Sequence, residues 1–396
     1  MNQMLARRLL IRSVRYTVTG ERDPLIPGLA DQTTDWGAVV RIAARNKSAP
    51  LLYQSLKAHG VAAIAPTVSR ALCHHSEEVL ERNTVLAQSL LDVVLLFDRS
   101  RVLAVPYRGP VLSLLLYNSI GLRQMSDLDF IVSAGAFDRA TEILVANGFT
   151  PLRKWPGDCT RTFYRGGDGL PVTIDLHSRI ARRSLPAFGF SPETILSNTN
   201  KTKFLDREIV TFTLPYTFLI LNAVITKEWI YRRPILAYAS DICRLTRMLS
   251  TQDVSDALSL SSSLGIERAT GFAISVSSAL LGLNTSCVVD KPMPRHVRDA
   301  ERIWAELSYT SGLRMVFFLR TGDLGLYDRR VRAVLRYFAE LAAAIPYRLL
   351  VPTEADHAWV YVHSSLHWLY PMIRAARLAV TYVLLPFVRR IAGSRS

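Results

Sequence analysis

The sequence has few cysteines, and none of them stands close to another along the chain. Zinc sites and redox pairs bring cysteines within a few residues of each other, and disulfide scaffolds need a much higher cysteine content. The pattern therefore excludes a disulfide-stabilised secreted domain and indicates reduced thiols, which predicts a cytoplasmic location. The 396 residues contain four cysteines: Cys73, Cys159, Cys243 and Cys287.

Long apolar runs are missing as well. The longest covers residues 211–225 and is interrupted by Pro215 and Asn222, whereas a membrane-spanning helix needs about 20 apolar residues. We therefore expect a buried core helix in this region. The first 18 residues carry an arginine every few positions, so we expect no apolar segment of a signal peptide there.

The C-terminal segment, residues 366–391, lacks acidic side chains and is rich in aromatic and basic ones. Such a composition is typical of an amphipathic helix that lies on a protein surface or on a membrane surface. Two interpretations remain open for it: packing against the protein, and peripheral contact with the inner face of the membrane.

Acidic residues are outnumbered by basic ones, 33 against 48, which leaves a net charge of +15. A surplus of this size would suit an anionic partner such as nucleic acid or lipid. The basic clusters, however, fall at residues 7–15 and 374–395, and no aromatic-interleaved RNA-binding motif accompanies them. The chain also lacks the glycine motifs of dinucleotide-binding and P-loop proteins. The surplus charge is therefore no strong nucleic-acid signature.

Hydrophobic periodicity predicts an α+β protein with a small mixed-sheet core between N-terminal and C-terminal helical regions. We expect an N-terminal helical region at residues 1–100, with one helix N-capped by Asp35 and another over residues 80–97. The α/β core is predicted at 101–213, a helical domain at 214–350 and a basic aromatic C-terminal helix at 351–396. Within the core we expect strands at 102–106, 127–132, 161–165 and 171–177, helices at 109–117 and 137–146, and a hairpin at 203–212. Helices are expected beyond it at 215–229, 235–249, 253–264, 267–282, 294–310, 327–344 and 358–391.

Two aspartates stand two residues apart on the predicted strand 127–132. Side chains at such positions project from the same face of a strand, about 6 to 7 Å apart. Asp127 and Asp129 would therefore share a face, while Leu128 and Phe130 take the opposite one. Two like charges at this spacing repel each other unless a cation lies between them. The alternative is that both are exposed polar positions on an edge strand.

A third carboxylate occurs in the predicted strand 171–177. There Asp175 and His177 alternate with the apolar Ile174 and Leu176. If this strand lies beside the Asp127 strand, three carboxylates meet, and that arrangement suits two-metal phosphoryl transfer.

The core resembles a known family in a continuous stretch of residues. Residues 107–132 read Tyr-Arg-Gly-Pro-Val through Gly-Leu-Arg-Gln-Met-Ser-Asp-Leu-Asp-Phe-Ile-Val, and a strand with Asp175-Leu176-His177 follows. This pattern is similar to a largely uncharacterised bacterial nucleotidyltransferase-like family of the DNA polymerase β-type superfamily. Residues 44–53 and 237–242 also resemble that family, so the similarity extends over about residues 25–250.

The resemblance implies a nucleotidyl-transfer site. It assigns Asp127, Asp129 and Asp175 as catalytic residues and as ligands of Mg²⁺ or Mn²⁺, and it implies an NTP as substrate. In the family a lysine usually precedes the glycine, whereas this chain has Arg108, and Pro110 follows in place of a small residue.

Five further residues are candidates for contact with substrate. Arg108 and Arg123 would contact the triphosphate, although Arg123 could instead pair with an acidic neighbour. Gly109 would let the backbone approach phosphates at a helix N-terminus, or would simply form a turn. Ser126 would bind a phosphate oxygen or cap a helix, and His177 would orient Asp175, bind substrate or make a structural hydrogen bond.

A buried acid needs a partner, and Asp241 stands in an apolar helical stretch. We therefore consider it a contributor to the substrate side.

The function favoured by these residues is a Mg-dependent nucleotidyltransferase, an enzyme that transfers a nucleoside monophosphate from an NTP to an unknown hydroxyl or phosphate acceptor. A second hypothesis is a non-catalytic nucleotide-binding or assembly protein of the same fold, motivated by Arg108 and Pro110. A third places the protein at the membrane in envelope polysaccharide synthesis.

Overall fold

The structure is a computed structural model of the whole chain. It describes residues 2–61, 64–152, 160–167, 169–178, 192–230, 233–282, 360, 362 and 364–380. The predicted helices 294–310 and 327–344 and most of the predicted C-terminal helix lie outside the described residues, as do Cys159 and Cys287.

The N-terminal region is helical, as predicted. The Asp35 side chain accepts a hydrogen bond from the Ala38 amide and so begins the third helix where the sequence indicates it. The helix predicted at 80–97 is longer than expected and begins at Pro66, because its first half packs against the preceding helix instead of showing an apolar stripe of its own. The helices are α1 (Asn2–Thr19), α2 (Leu25–Asp31), α3 (Trp36–Arg45), α4 (Ala49–Ala58) and α5 (Pro66–Arg99).

The core that follows is a mixed five-stranded sheet with helices beside it. Its spatial order is β1-β2-β5-β4-β3, in which β2 pairs parallel with β5 and the other neighbours pair antiparallel. The elements are β1 (Ala104–Pro106), α6 (Gly109–Tyr117), β2 (Leu128–Val132), α7 (Phe137–Ala146), β3 (Thr150–Pro151), β4 (Thr160–Arg165) and β5 (Val172–His177). The predicted α/β block and its β4–β5 hairpin are therefore confirmed.

Strand β2 is interior to the sheet and buried along its whole length. Leu128, Phe130 and Val132 belong to the hydrophobic core under α5 and α7, whereas Ile131 belongs to the larger core formed with the helical regions. Asp129 shares the face of Ile131 because side chains alternate along a strand. The edge-strand interpretation of the aspartates is therefore wrong.

A short helix, a separate hairpin and a helical region complete the described fold. The larger hydrophobic core draws residues from α1, α3 and α4 as well as from α9, α10 and α12, so the helices that precede and follow the sheet in the chain pack together. The elements are α8 (Pro192–Ser197), β6 (Thr199–Phe204), β7 (Arg207–Phe212), α9 (Leu214–Ile230), α10 (Leu236–Thr246), α11 (Thr251–Ser263), α12 (Glu267–Leu281) and, after a 3-10 segment at Ser364–Leu369, α13 (Tyr370–Ala379).

Among the described helices, none combines the length and the apolar character that crossing a bilayer requires. The apolar run at 211–225 falls largely within α9, whose side chains over residues 216–226 are buried in the protein core, as the sequence indicates.

Candidate functional site

Two aspartates face each other across the parallel pair of strands. Asp129 of β2 is in register with Asp175 of β5, and His177 lies two residues further along β5. One ligand atom from each of Asp129, Asp175 and His177 lies within 4.8 Å of the other two. Two carboxylate oxygens and an imidazole nitrogen at this separation fit a divalent cation. These three groups could thus hold a metal ion, with His177 in the place that the sequence assigns to Asp127.

Asp129 is the most enclosed of these carboxylates, and three polar side chains converge on its Oδ1 atom. Arg108 Nη2 lies 2.5 Å away, His177 Nε2 3.1 Å and the Tyr107 hydroxyl 3.4 Å. Burial by itself would raise the pKa of Asp129, but the charge of Arg108 and the hydrogen bonds hold that pKa well below its usual range. Asp129 is therefore ionised at any physiological pH.

His177 lies between Thr160 of β4 and Tyr107, the residue that follows β1. Its Nδ1 atom lies 2.8 Å from the Thr160 hydroxyl, and its Nε2 atom lies 3.3 Å from the Tyr107 hydroxyl. The Tyr107 ring also packs edge-on against the imidazole, with centroids 5.5 Å apart. Because a hydroxyl can accept as well as donate, Thr160 can accept a hydrogen bond from Nδ1–H. In that tautomer Nε2 carries a lone pair that can bind a cation.

The other two aspartates are less enclosed. Asp175 accepts a hydrogen bond from the Thr162 hydroxyl, 2.6 Å from its Oδ1 atom, and the residue is partly exposed. Asp127 immediately precedes β2. Burial and the charges of Asp129 and Asp175 raise its pKa. The charges of Arg108 and Lys47 oppose this shift but do not cancel it. The site thus combines three carboxylates that disfavour one another's charge.

Helix α6 begins beside the backbone of Asp127. Gly109 adopts φ +61°, a left-handed conformation that favours glycine, and a Cβ there would contact the Asp127 carbonyl oxygen at 3.6 Å. Pro110 occupies the first turn and so removes one backbone donor from the helix N-terminus. Ser126 is exposed, and its carbonyl oxygen accepts a hydrogen bond from Arg82. The phosphate contacts expected of Gly109 and Ser126 stay predictions.

Arg123 is engaged elsewhere than at the carboxylates of the sheet. Its Nε atom lies 2.9 Å from Asp241 Oδ2, and the side chains of the two residues are only 10% and 1% exposed. Asp241 also accepts a hydrogen bond from the Tyr117 hydroxyl, 3.0 Å from its Oδ1 atom. Burial raises the pKa of Asp241, while Arg123 opposes that shift. This geometry favours the structural ion pair over the predicted triphosphate contact of Arg123.

The comparison with known proteins agrees with the site. Residues 32–282 match the family described as uncharacterised nucleotidyltransferase. The chain belongs to this family. A solved structure titled as an antigenic nucleotidyltransferase-like protein from Paracoccidioides brasiliensis is 13% identical and aligns with a TM-score of 0.32, over 52% of this chain and 93% of that one. None of the curated proteins is significantly similar in sequence.

The match to the nucleotidyltransferase family spans α3 to α12, and so includes basic residues that the sequence pattern did not single out. Lys47 adopts φ +53° between α3 and α4 and is exposed. Although part of the side chain reaches solvent, the surrounding protein desolvates the ammonium and lowers its pKa, and the charges of Arg123 and Arg108 act in the same direction. The charge of Asp127 opposes the shift. Arg108 and Arg123 each hold an aspartate, but Lys47 makes no ion pair within the described part of the chain.

Two residues of the helical region are close enough to Arg108 and Asp129 to be affected by their charges. The charges of Arg108 and Asp129 act on both Lys227 and Tyr238. Burial is the main cause of the pKa shift in each case: it lowers the pKa of Lys227 and raises that of Tyr238. Lys227 pairs with the buried Glu228 at 3.3 Å. No local sequence signal marks these residues, because they stand in ordinary helices and only the packing of α9 and α10 brings them to the sheet.

Proposed function

We propose that the protein is a metal-dependent nucleotidyltransferase that transfers a nucleoside monophosphate from an NTP to a hydroxyl or phosphate acceptor. The observation that carries the proposal is the register of Asp129 with Asp175 on the parallel pair β2 and β5. Carboxylates brought together in this way serve phosphoryl transfer when divalent cations share them. Membership of the nucleotidyltransferase family supports the same reaction class.

Asp129, Asp175 and His177 would hold the cation, Mg²⁺ or Mn²⁺, and Asp127 is the fourth candidate because the charges of Asp129 and Asp175 act on it. The bound cation supplies charge neutralisation at the reacting phosphate and makes an acceptor hydroxyl more acidic. Thr162 and Thr160 orient the carboxylate of Asp175 and the ring of His177 through hydrogen bonds of 2.6 and 2.8 Å.

The triphosphate would lie between the N-terminus of α6 and the side chain of Lys47. Backbone amides at a helix N-terminus favour anions, and Gly109 allows a close approach of the backbone there. Lys47 faces Asp127 from the N-terminal helical region and can neutralise phosphate charge. Asp175 is partly exposed, which supports a role in which it would take a proton from the acceptor.

Label transfer tests this function. The full-length protein is incubated with each α-³²P-labelled NTP, Mg²⁺ or Mn²⁺, and cell extract as a source of acceptors. We expect label in a product together with pyrophosphate release, and the acceptor class follows from the labelled product. Asp127→Asn and Asp129→Asn should each abolish the transfer, while a cooperative unfolding transition in the same preparation shows that each variant is folded. Full transfer by both variants would refute the proposed chemistry.

A second function is a nucleotide-binding protein that does not turn over its ligand. It is favoured by the contact between Arg108 and Asp129 and by Pro110, which removes a phosphate donor. Calorimetry with Mg²⁺ and each NTP separates the two. Saturable binding without pyrophosphate release, across a broad set of acceptors, would select the binding function.

The C-terminal segment is proposed to contact the inner face of the membrane as a peripheral helix, with the rest of the protein in the cytoplasm. In the described part of this segment, Leu366, Trp368 and Met372 are exposed, and α13 carries Arg377 in its last turn. Apolar and basic side chains together suit an anionic lipid surface.

A further inference from the structure

Arg108 makes an unusual contact for a residue expected to bind triphosphate. Its guanidinium lies 2.5 Å from Asp129 Oδ1, and the two side chains are 13% and 3% exposed. The guanidinium also lies 5.1 Å from the centroid of the Tyr107 ring, which favours a cation. One positive charge is thus already fixed on a carboxylate that would bind the metal.

A divalent cation at Asp129 has to share that carboxylate with Arg108. Like charges a few ångströms apart repel each other strongly in a partly buried site, where water screens them poorly. Arg108 directly precedes the helix α6, so its side chain is anchored beside the helix N-terminus where an anionic phosphate is favoured. From this one backbone position the guanidinium can therefore reach either of two anionic partners, the Asp129 carboxylate or a phosphate bound at the helix N-terminus.

We propose that Arg108 and a divalent cation compete for Asp129, and that the nucleotide triphosphate is the alternative partner of the guanidinium. Metal and nucleotide then bind cooperatively, because each favours the movement of Arg108 from Asp129 to phosphate. This coupling is reciprocal, so it can be measured from either ligand. The inference rests on the proposed function, since it assumes that the same site takes both ligands.

The first experiment measures Mn²⁺ affinity without nucleotide, by calorimetry and by the electron paramagnetic resonance signal of unbound Mn²⁺. Arg108→Gln keeps an amide donor near Asp129 but removes the charge, and we expect Mn²⁺ to bind at least about tenfold more tightly. Arg108→Lys should lie between this variant and the wild type, because lysine keeps the charge on a shorter, less rigid donor. Arg139→Ala, which removes a surface charge near Ser100, should leave the affinity unchanged.

The second experiment measures nucleotide affinity in the presence of EDTA, and it does not depend on the folding of an Arg108 variant. Asp129→Asn releases Arg108, whereas Asp175→Asn removes an equal charge whose partner is Thr162. We expect ATP to bind about threefold or more tighter to Asp129→Asn than to Asp175→Asn. Equal affinities in these two variants would contradict the competition.

The outcomes separate this inference from the proposed function. If the wild type binds Mn²⁺ and Arg108→Gln binds it equally or more weakly, the competition is wrong while the metal-dependent function stands. If no variant binds Mn²⁺ with or without nucleotide, the metal-dependent function fails and the inference fails with it. Tighter binding by Arg108→Gln cannot result from misfolding, since a damaged site would lose affinity.

Discussion

Replacement of Arg123 by methionine distinguishes a structural arginine from one that binds triphosphate. Methionine keeps most of the volume and removes the charge. In the variant, Asp241, which is 1% exposed, would retain the Tyr117 hydroxyl as a hydrogen-bond donor but would lose its 2.9 Å ion pair with Arg123. Leaving one member of a buried ion pair without its partner costs about 3–5 kcal/mol. We expect the free energy of unfolding to fall by that amount.

The pH dependence of this loss has a definite sign. Burial raises the pKa of Asp241 above its usual value even beside Arg123, and removal of the arginine raises that pKa further. A carboxyl group whose pKa is higher in the folded than in the unfolded protein stabilises the fold at low pH and loses that contribution as pH rises through the folded pKa. The deficit of the Arg123→Met variant should therefore shrink as pH falls towards 4.

Urea denaturation followed by circular dichroism measures the effect. The double variant Arg123→Met/Asp241→Leu removes both charges, and buried ion pairs replaced by apolar residues are often neutral in stability, so it should recover most of the loss. The Tyr117 hydroxyl would keep Ser240 Oγ, 2.9 Å away, as a partner. Arg41→Met breaks an exposed pair with Asp35 and should cost less than about 1 kcal/mol.

The structural role of Arg123 would be refuted by a specific combination of results. If Arg123→Met unfolds at the wild-type urea concentration but binds NTP far more weakly, the arginine contacts triphosphate as the sequence pattern suggests. If the double variant is as unstable as the single one, the loss comes from packing and not from the unpaired charge of Asp241.

Three further changes test other parts of the site. Lys47→Met should raise the dissociation constant for NTP by about tenfold through loss of a charged contact, whereas Lys57→Met on the exposed surface of α4 should not, and equal values in calorimetry would exclude the role of Lys47. Thr162→Val should lower stability by about 1 kcal/mol and weaken Mn²⁺ binding by about tenfold, because Asp175 loses the donor that orients it; an unchanged Mn²⁺ affinity would show that this orientation does not matter. Truncation after residue 365 should abolish flotation with vesicles containing anionic lipid, and unchanged partition relative to the full chain would rule out that segment as the membrane contact.

Much of the fold can be predicted from the sequence, because the signals that specify its helices, strands and turns are local. The Asp35 cap, the glycine-rich turn between β4 and β5 and the alternation along β2 each depend on neighbouring residues, and the helix, the hairpin and the strand that they predict are present. The convergence of Asp129 with Asp175 required one further assumption, that their strands are adjacent, and the observed register meets it. The length of α5 could not be predicted, because its first half is stabilised by contact with α4.

The ion pairs of the site could not be read from the sequence. Arg108 stands close enough along the chain to Asp129 to suggest a contact, but the residue type equally suits phosphate, and only the three-dimensional placement selects the carboxylate. Arg123 and Asp241 are 118 positions apart along the chain, and only the fold brings them into contact. Lys47 lies in a connection between two helices, where no periodic pattern marks it, and its position near Asp127 is a product of tertiary packing.

The parallel pairing of β2 with β5 also determines when the site forms during folding. Asp129 and Asp175 are about 46 residues apart, and their strands pair in parallel with α7 and β4 in the chain between them. Parallel pairing across such a separation carries a loop-closure cost and is slow compared with helix formation. Helical intermediates would consequently bury apolar surface before they could retain a cation. Mn²⁺ uptake during refolding should therefore report closure of the sheet as a step later than the recovery of helical circular dichroism.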